Sequence, residues 1–186
     1  MLLDIQGDYL SSGAQLGCGG NDFFPGVARM FLTFDLTPIP SQRTAVAAKL
    51  WLKDIYPSIY EGFEQFLGPF VFDSLSFGTL PSPGYSASGY SAYALQQTPY
   101  ASAGFNIKST FPGSQMTGGQ TVTLTVDVTA AVADDLVFRA TRSNKSQFRC
   151  SHADEQLGEN SGGDGISFGA EVDPSQALLE VTVVPY

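Results

Sequence analysis

One hundred and eighty-six residues carry 18 acidic and nine basic side chains, a net charge of −9, with 43% of the chain hydrophobic and only 15% charged. That composition supports a packed core and excludes a disordered chain, and nine basic residues without a run exclude the nucleic-acid backbone as a partner. No apolar run nears the roughly 20 residues of a membrane-spanning helix, and the wealth of Gly, Ser, Thr and aromatic residues leans toward an exterior protein.

The chain opens Met-Leu-Leu-Asp-Ile-Gln, with no basic stretch ahead of a long apolar one, so no secretory signal is read there. Either a signal has been removed or the protein reaches its site without secretion, as a phage structural protein does. Asp4 to Ser12 reads as an extended edge segment and Gly17-Cys-Gly-Gly20 as a turn. In Arg29 to Leu36, Met30, Leu32, Phe34 and Leu36 alternate with Arg29, Phe31, Thr33 and Asp35, and Pro38 and Pro40 close the run. That period of two predicts a central strand with one face in a core. In Ala45 to Lys53, Ala48, Leu50 and Leu52 fall on one face, and Ala47, Lys49, Trp51 and Lys53 on the other. Two lysines on its face predict that the only tryptophan points away from the core.

Between residues 54 and 70, Pro57, Gly62 and Pro69 limit any helix carrying Phe63, Phe66 and Leu67 to about two turns. Val71 to Phe77 reads as a strand. Residues 78–105, low in charge and rich in Gly, Ser, Pro and Tyr, read as a long excursion with one short helix around Ala92 to Gln97. Ordered loops of that length are usually functional or interfacial. Thr121 to Thr129 alternates again, with Val122, Leu124, Val126 and Val128 inward and the threonines and Asp127 outward. A turn at Asp134-Asp135 is expected to lead into strands over Leu136 to Ala140 and Ser146 to Cys150. An acidic loop over 154–165 precedes strands at Ile166 to Gly169 and Ala177 to Val184. About eight short strands without a long helix predict one all-β domain over residues 1–186, a β-sandwich or jelly roll.

The motifs Gly7-Asp-Tyr-Leu10, Ala28-Arg-Met-Phe-Leu-Thr-Phe-Asp-Leu36, Ala47-Ala-Lys-Leu-Trp-Leu52, Val126-Asp-Val-Thr-Ala-Ala-Val132, Ile166-Ser-Phe-Gly-Ala-Glu171 and Leu178-Leu-Glu-Val-Thr-Val183 follow one another in this order. The series resembles the DNRLRE-type domains, jelly-roll β-sandwiches of secreted proteins related to carbohydrate-binding modules. Where those domains carry Ser-x-Glu near the last strands, this chain has Gly169-Ala-Glu171. The resemblance implies the fold; such modules also serve as structural parts of larger assemblies, so it leaves function open.

Chemistry is sparse. His152 is the single histidine, and Gly84-Tyr-Ser-Ala-Ser-Gly89 misses the Gly-x-Ser-x-Gly spacing of a nucleophile elbow, so no hydrolytic triad is expected. Glu61/Glu64 and Asp154/Glu155 are adjacent acids of the kind that are usually just solvated. Asp154, Glu155, Glu159 and Asp164 offer calcium-type oxygen ligands in a Gly-rich loop, without EF-hand spacing. Cys18 and Cys150 form at most one disulfide, two free buried thiols being the alternative. Asn144-Lys-Ser146 is a glycosylation sequon. Aromatic platforms remain: Trp51, flanked by Lys49 and Lys53, and Tyr85, Tyr90, Tyr93 and Tyr100 in the excursion. Such rings bury against a neighbouring subunit or stack on sugars. The expectation is a non-enzymatic assembly or decoration protein of a virion, filament or cell surface, with a carbohydrate-binding module as the second reading.

Overall fold

A computed structural model of the chain describes residues 1–11, 17–20, 27–28, 30–58, 70–74, 106–109, 121–152, 165–167 and 176–186. Its strands are β1 (Leu2–Ser11), β2 (Gly17–Gly20), β3 (Val27–Ala28), β4 (Met30–Asp35), β5 (Arg43–Ser58), β6 (Phe70–Ser74), β7 (Asn106–Ser109), β8 (Val122–Asp127), β9 (Lys145–His152), β10 (Gly165–Ser167) and β11 (Ala177–Pro185), with a helix α1 (Thr129–Val137). The protein is mostly antiparallel β-sheet with one helix among the described residues. Neighbours run β3-β2-β10-β5-β11-β1-β4-β9-β6-β7, with β8 added on β5.

β4 is interior as expected, paired to β1 and β9. β1 joins the two halves of the sheet, each stretch of it paired on one side only. Its first half, Leu2 to Gln6, pairs with β11, and its second half, Gly7 to Ser11, pairs with β4. The strand changes partners at Gly7, where a Cβ would stand 2.5 Å from Phe34 Cε1. Only glycine leaves room for the Phe34 ring to lie over the paired β1 backbone.

Burial follows the alternation. Met30, Leu32, Phe34, Leu36, Phe72, Phe148 and Cys150 join Ala48, Leu50, Leu52, Leu124, Val126, Leu179 and Val181 in one core cluster. Phe34 and Phe148 meet edge to face at 6.3 Å. The opposite face of β4 and β9 is covered as well: Phe31, Thr33 and Gln147 are buried, and Gln147 Nε2 donates to Thr33 Oγ1 at 2.9 Å. Asp73 and Arg149, cross-strand partners on that face, form an ion pair at 2.7 Å. β5 runs further than its periodicity predicts because Asp54, at φ 52°, accommodates a bulge between Leu52 and Ile55. Asp is among the few residues that tolerate this left-handed region.

The strand expected over Leu136 to Ala140 does not form. Residues 129–137 are helical and 138–144 turn. Ala131, Val132, Asp135 and Leu136 are buried, a spacing of one, three and one that places them on a single helical face against the core. Alanines at 130, 131 and 133 favour the helix where β-branched residues would not. Asp127 Oδ1 accepts from the Thr129 N–H at 2.9 Å and from its hydroxyl at 2.7 Å, fixing the turn from strand into helix. These bonds hold the Asp127 carboxyl below its ordinary value, as the bonds from Thr37 do for Asp35. Their stabilisation is present above the usual carboxylate range and is lost as pH falls through the lowered values. Asp127→Ala is expected to cost about 1 kcal/mol at neutral pH, read as a lowered urea midpoint.

Beyond α1, Ser143 and Asn144 turn with φ of 53° and 55° into β9. The Arg139 guanidinium locks this turn to the β4–β5 connection: Nε donates to Asn144 Oδ1 at 2.9 Å, and Nη2 donates to the Leu36 and Ile39 carbonyls at 3.1 and 3.0 Å. The sequon is thus spent structurally, since the Ser146 hydroxyl is buried and donates to Asp135 Oδ2 at 2.6 Å. The expected short helices, the 78–105 excursion and nearly all of the acidic loop lie outside the described residues.

Candidate interaction face

β8, β5, β11 and β1 lie side by side, and their registers stack residues into rows across the outward face. One row runs Thr125, Trp51, Leu178, Gln6. The next runs Asp127, Lys49, Glu180, Asp4, and a third continues Ala47, Thr182, Leu2. Leu50 and Leu52 are fully buried on the other side while Trp51 is half-buried, so the indole is on the outward face, as the two lysines predict. The Lys49 ammonium lies 6.0 Å from the Trp51 ring centroid, the outer reach of a cation–π contact. Lys53 shares the face, half-buried. The indole Nε1 is shielded from water and donates to no acceptor among the described residues. A shielded donor without a partner is uncommon in a native protein, and leaving it so costs about 1–3 kcal/mol.

At the end where β1, β11 and β5 meet, Met1, Leu2, Val46, Val184 and Tyr186 are exposed, Tyr186 to 73%. Val46 is there because β5 bulges: Ala45 pairs with Val183 and Ala47 with Thr182, leaving Val46 unpaired and turned to solvent. Three carboxylates (Asp4, Glu180 and Asp127) surround one ammonium in the second row. The face is therefore mildly acidic and aromatic at its centre, with an apolar margin.

The remaining predicted residues separate from this face or fall beyond it. Tyr85, Tyr90, Tyr93 and Tyr100 lie outside the described residues, as do Asp154, Glu155, Glu159 and Asp164. Among the described residues no group of three His, Cys, Asp or Glu is placed to hold a metal ion. Cys150 is a free buried thiol, and the Cys18 side chain lies outside the described residues. His152 ends β9 opposite Phe70.

Sequence periodicity could place Thr125 and Asp127 on Trp51's face of the sheet only by their outward alternation. It could not supply Leu178, Glu180, Gln6 or Asp4, because register across strands leaves no local signal. It also missed the buried polar cluster behind α1. There Arg142 Nη1 donates to Asp135 Oδ1 at 2.7 Å, and Nη2 lies 2.7 Å from Asp134 Oδ2. Burial pushes the fully buried Asp135 carboxyl up to about 6, against the lowering effect of its bonds from Ser146 and Arg142. Burial works to lower Arg142, but its bonds to Asp134 and Asp135 outweigh that and raise it. No helix among the described residues is long and apolar enough to cross a membrane. No known family model matches the chain, and no curated protein matches it in sequence.

Proposed function

We propose that the chain is a non-catalytic structural or adhesive protein, a jelly-roll β-sandwich that works through protein–protein contacts on an extracellular, cell or virion surface. The observation that carries this reading is the outward face of β8, β5, β11 and β1, with Trp51 at its centre and exposed Leu2, Val46, Val184 and Tyr186 at its margin. Aromatic residues in such surroundings supply most of the affinity of protein interfaces. The two-layer reading draws support from the core cluster, which takes residues from β5 and β11 and from β4 and β9 alike. The buried ionisable pairs Asp135–Arg142 and Asp73–Arg149 serve packing, which agrees with a protein that binds without reacting.

The second reading is a carbohydrate-binding module of a secreted protein. It is favoured by one feature, the outward ring of Trp51, set between Thr125 and Leu178 beside Lys49, with its N–H unpartnered among the described residues. Sedimentation velocity and polysaccharide affinity gels separate the two. Under the first reading the native chain forms multimers and Trp51→Ala sediments more slowly. A monomer whose migration is retarded in a polysaccharide gel, with retardation lost in Trp51→Ala, overturns the first reading in favour of the second.

A further inference from the structure

β8 reads Val122-Thr-Leu-Thr-Val-Asp127 and follows Thr121. Among the described residues it is paired to β5 alone, with β7 approaching but not paired to it, whereas β5, β11, β4, β9 and β6 each have at least two partner strands. An open strand edge is a template for another strand, and proteins usually blunt it with lysine, proline or a bulge. β8 carries no Lys, Arg or Pro, and the register shift beside it adds residues to β5, not to β8. Its one charge, Asp127, sits at the end and is engaged by Thr129. The sheet's far strand, β7, contains Lys108.

The strand is also self-complementary. Two copies of β8 placed antiparallel about a twofold axis normal to the sheet must pair residues that share a face, because slipping by one residue would set core positions against solvent positions. Axes through Leu124 and through Thr125 each align five residues of β8, and the former makes both outward symmetric pairs threonine to threonine. It sets Thr123 opposite Thr125 of the second copy, and exposed Thr121 opposite Asp127 of the second copy. No like charges face each other, and threonine pairs across antiparallel strands are favourable. Both copies would keep Leu124 and Val126 toward their cores, and their outward faces, each with a Trp51, would join into one. We propose that β8 is the seam at which a second copy of this chain continues the sheet, edge to edge, about Leu124. The seam rests on the assembly reading above and uses the β8 edge of the sheet whose outward face carries Trp51.

Charge placement tests it. Thr123→Lys with Thr125→Lys sets ammonium against ammonium at both symmetric pairs, and self-association measured by sedimentation velocity is expected to weaken by about tenfold or more. Thr123→Glu with Thr125→Lys carries as many new charges but pairs opposite signs across the axis, and is expected to associate at least as tightly as the native chain. Amide exchange in β8 is expected to slow as protein concentration rises, a readout on the native chain that needs no variant. Multimers in which both double variants behave alike, or in which β8 exchange ignores concentration, overturn the seam while leaving the assembly reading intact. A native chain that stays monomeric at every concentration overturns both.

Discussion

Arg142→Ala is expected to destabilise the protein by about 3–5 kcal/mol at pH 8, because it leaves Asp135 buried without its cation. The guanidinium is 7% exposed and the Asp135 side chain is fully buried, so water cannot take its place without opening the cluster. The loss is expected to shrink at pH 5. Arg142 is one of the groups holding the Asp135 carboxyl down, and without it the carboxyl takes a proton more readily and sheds its charge. Urea unfolding at both pH values reads the difference, and a gap equal at pH 5 and pH 8 would show that Asp135 is not the group left stranded. The native protein carries the same linkage in milder form. Asp135 sits at about 6 in the fold against 3.8 unfolded, so its contribution is full below 3.8 and is lost as pH rises through about 6. At 1.36 kcal/mol per unit this amounts to about 3 kcal/mol, which Asp135→Asn should flatten. Asp35 and Asp127 act in the opposite sense, losing their contribution on the acid side.

Gly7→Ala is expected to cost about 1–3 kcal/mol by overpacking. A methyl at Gly7 would lie 2.5 Å from Phe34 Cε1 and 2.9 Å from Cζ, and the fully buried ring has Phe148 against it. Neither β1 nor the ring can yield cheaply, since β1 is paired on both sides of Gly7, to β11 and then to β4. Phe34→Leu removes the ring atoms in question. Alone it costs stability through the cavity it leaves, and beside Gly7→Ala it should cost less, with a coupling of about 0.5 kcal/mol or more between the two. Strict additivity in urea melts would place the strain elsewhere.

Alternation made the strands legible. Met30 to Leu36, Ala48 to Leu52, Leu124 to Val128 and Leu179 to Val183 each put every second residue in the core, because a strand turns successive side chains to opposite faces. The same rule misled over Leu136 to Ala140, where a buried helical face starting at Ala131 outweighed a short apolar run. It also could not see that Phe31 and Thr33, nominally the solvent side of β4, are buried too. Local pattern reports which residues differ in exposure along a strand, not whether both faces are covered.

By itself the sequence determined an antiparallel β protein with Trp51 turned from the core, since a period of two is a property of the local backbone and needs no partner strand. Only the tertiary structure decided which strands lie together. It set Trp51 between Thr125 and Leu178, Lys49 between Asp127 and Glu180, and Gly7 against Phe34. Those partners are distant in sequence, and their pairing is chosen by the closing of one shared core, a long-range condition that no short window of residues contains.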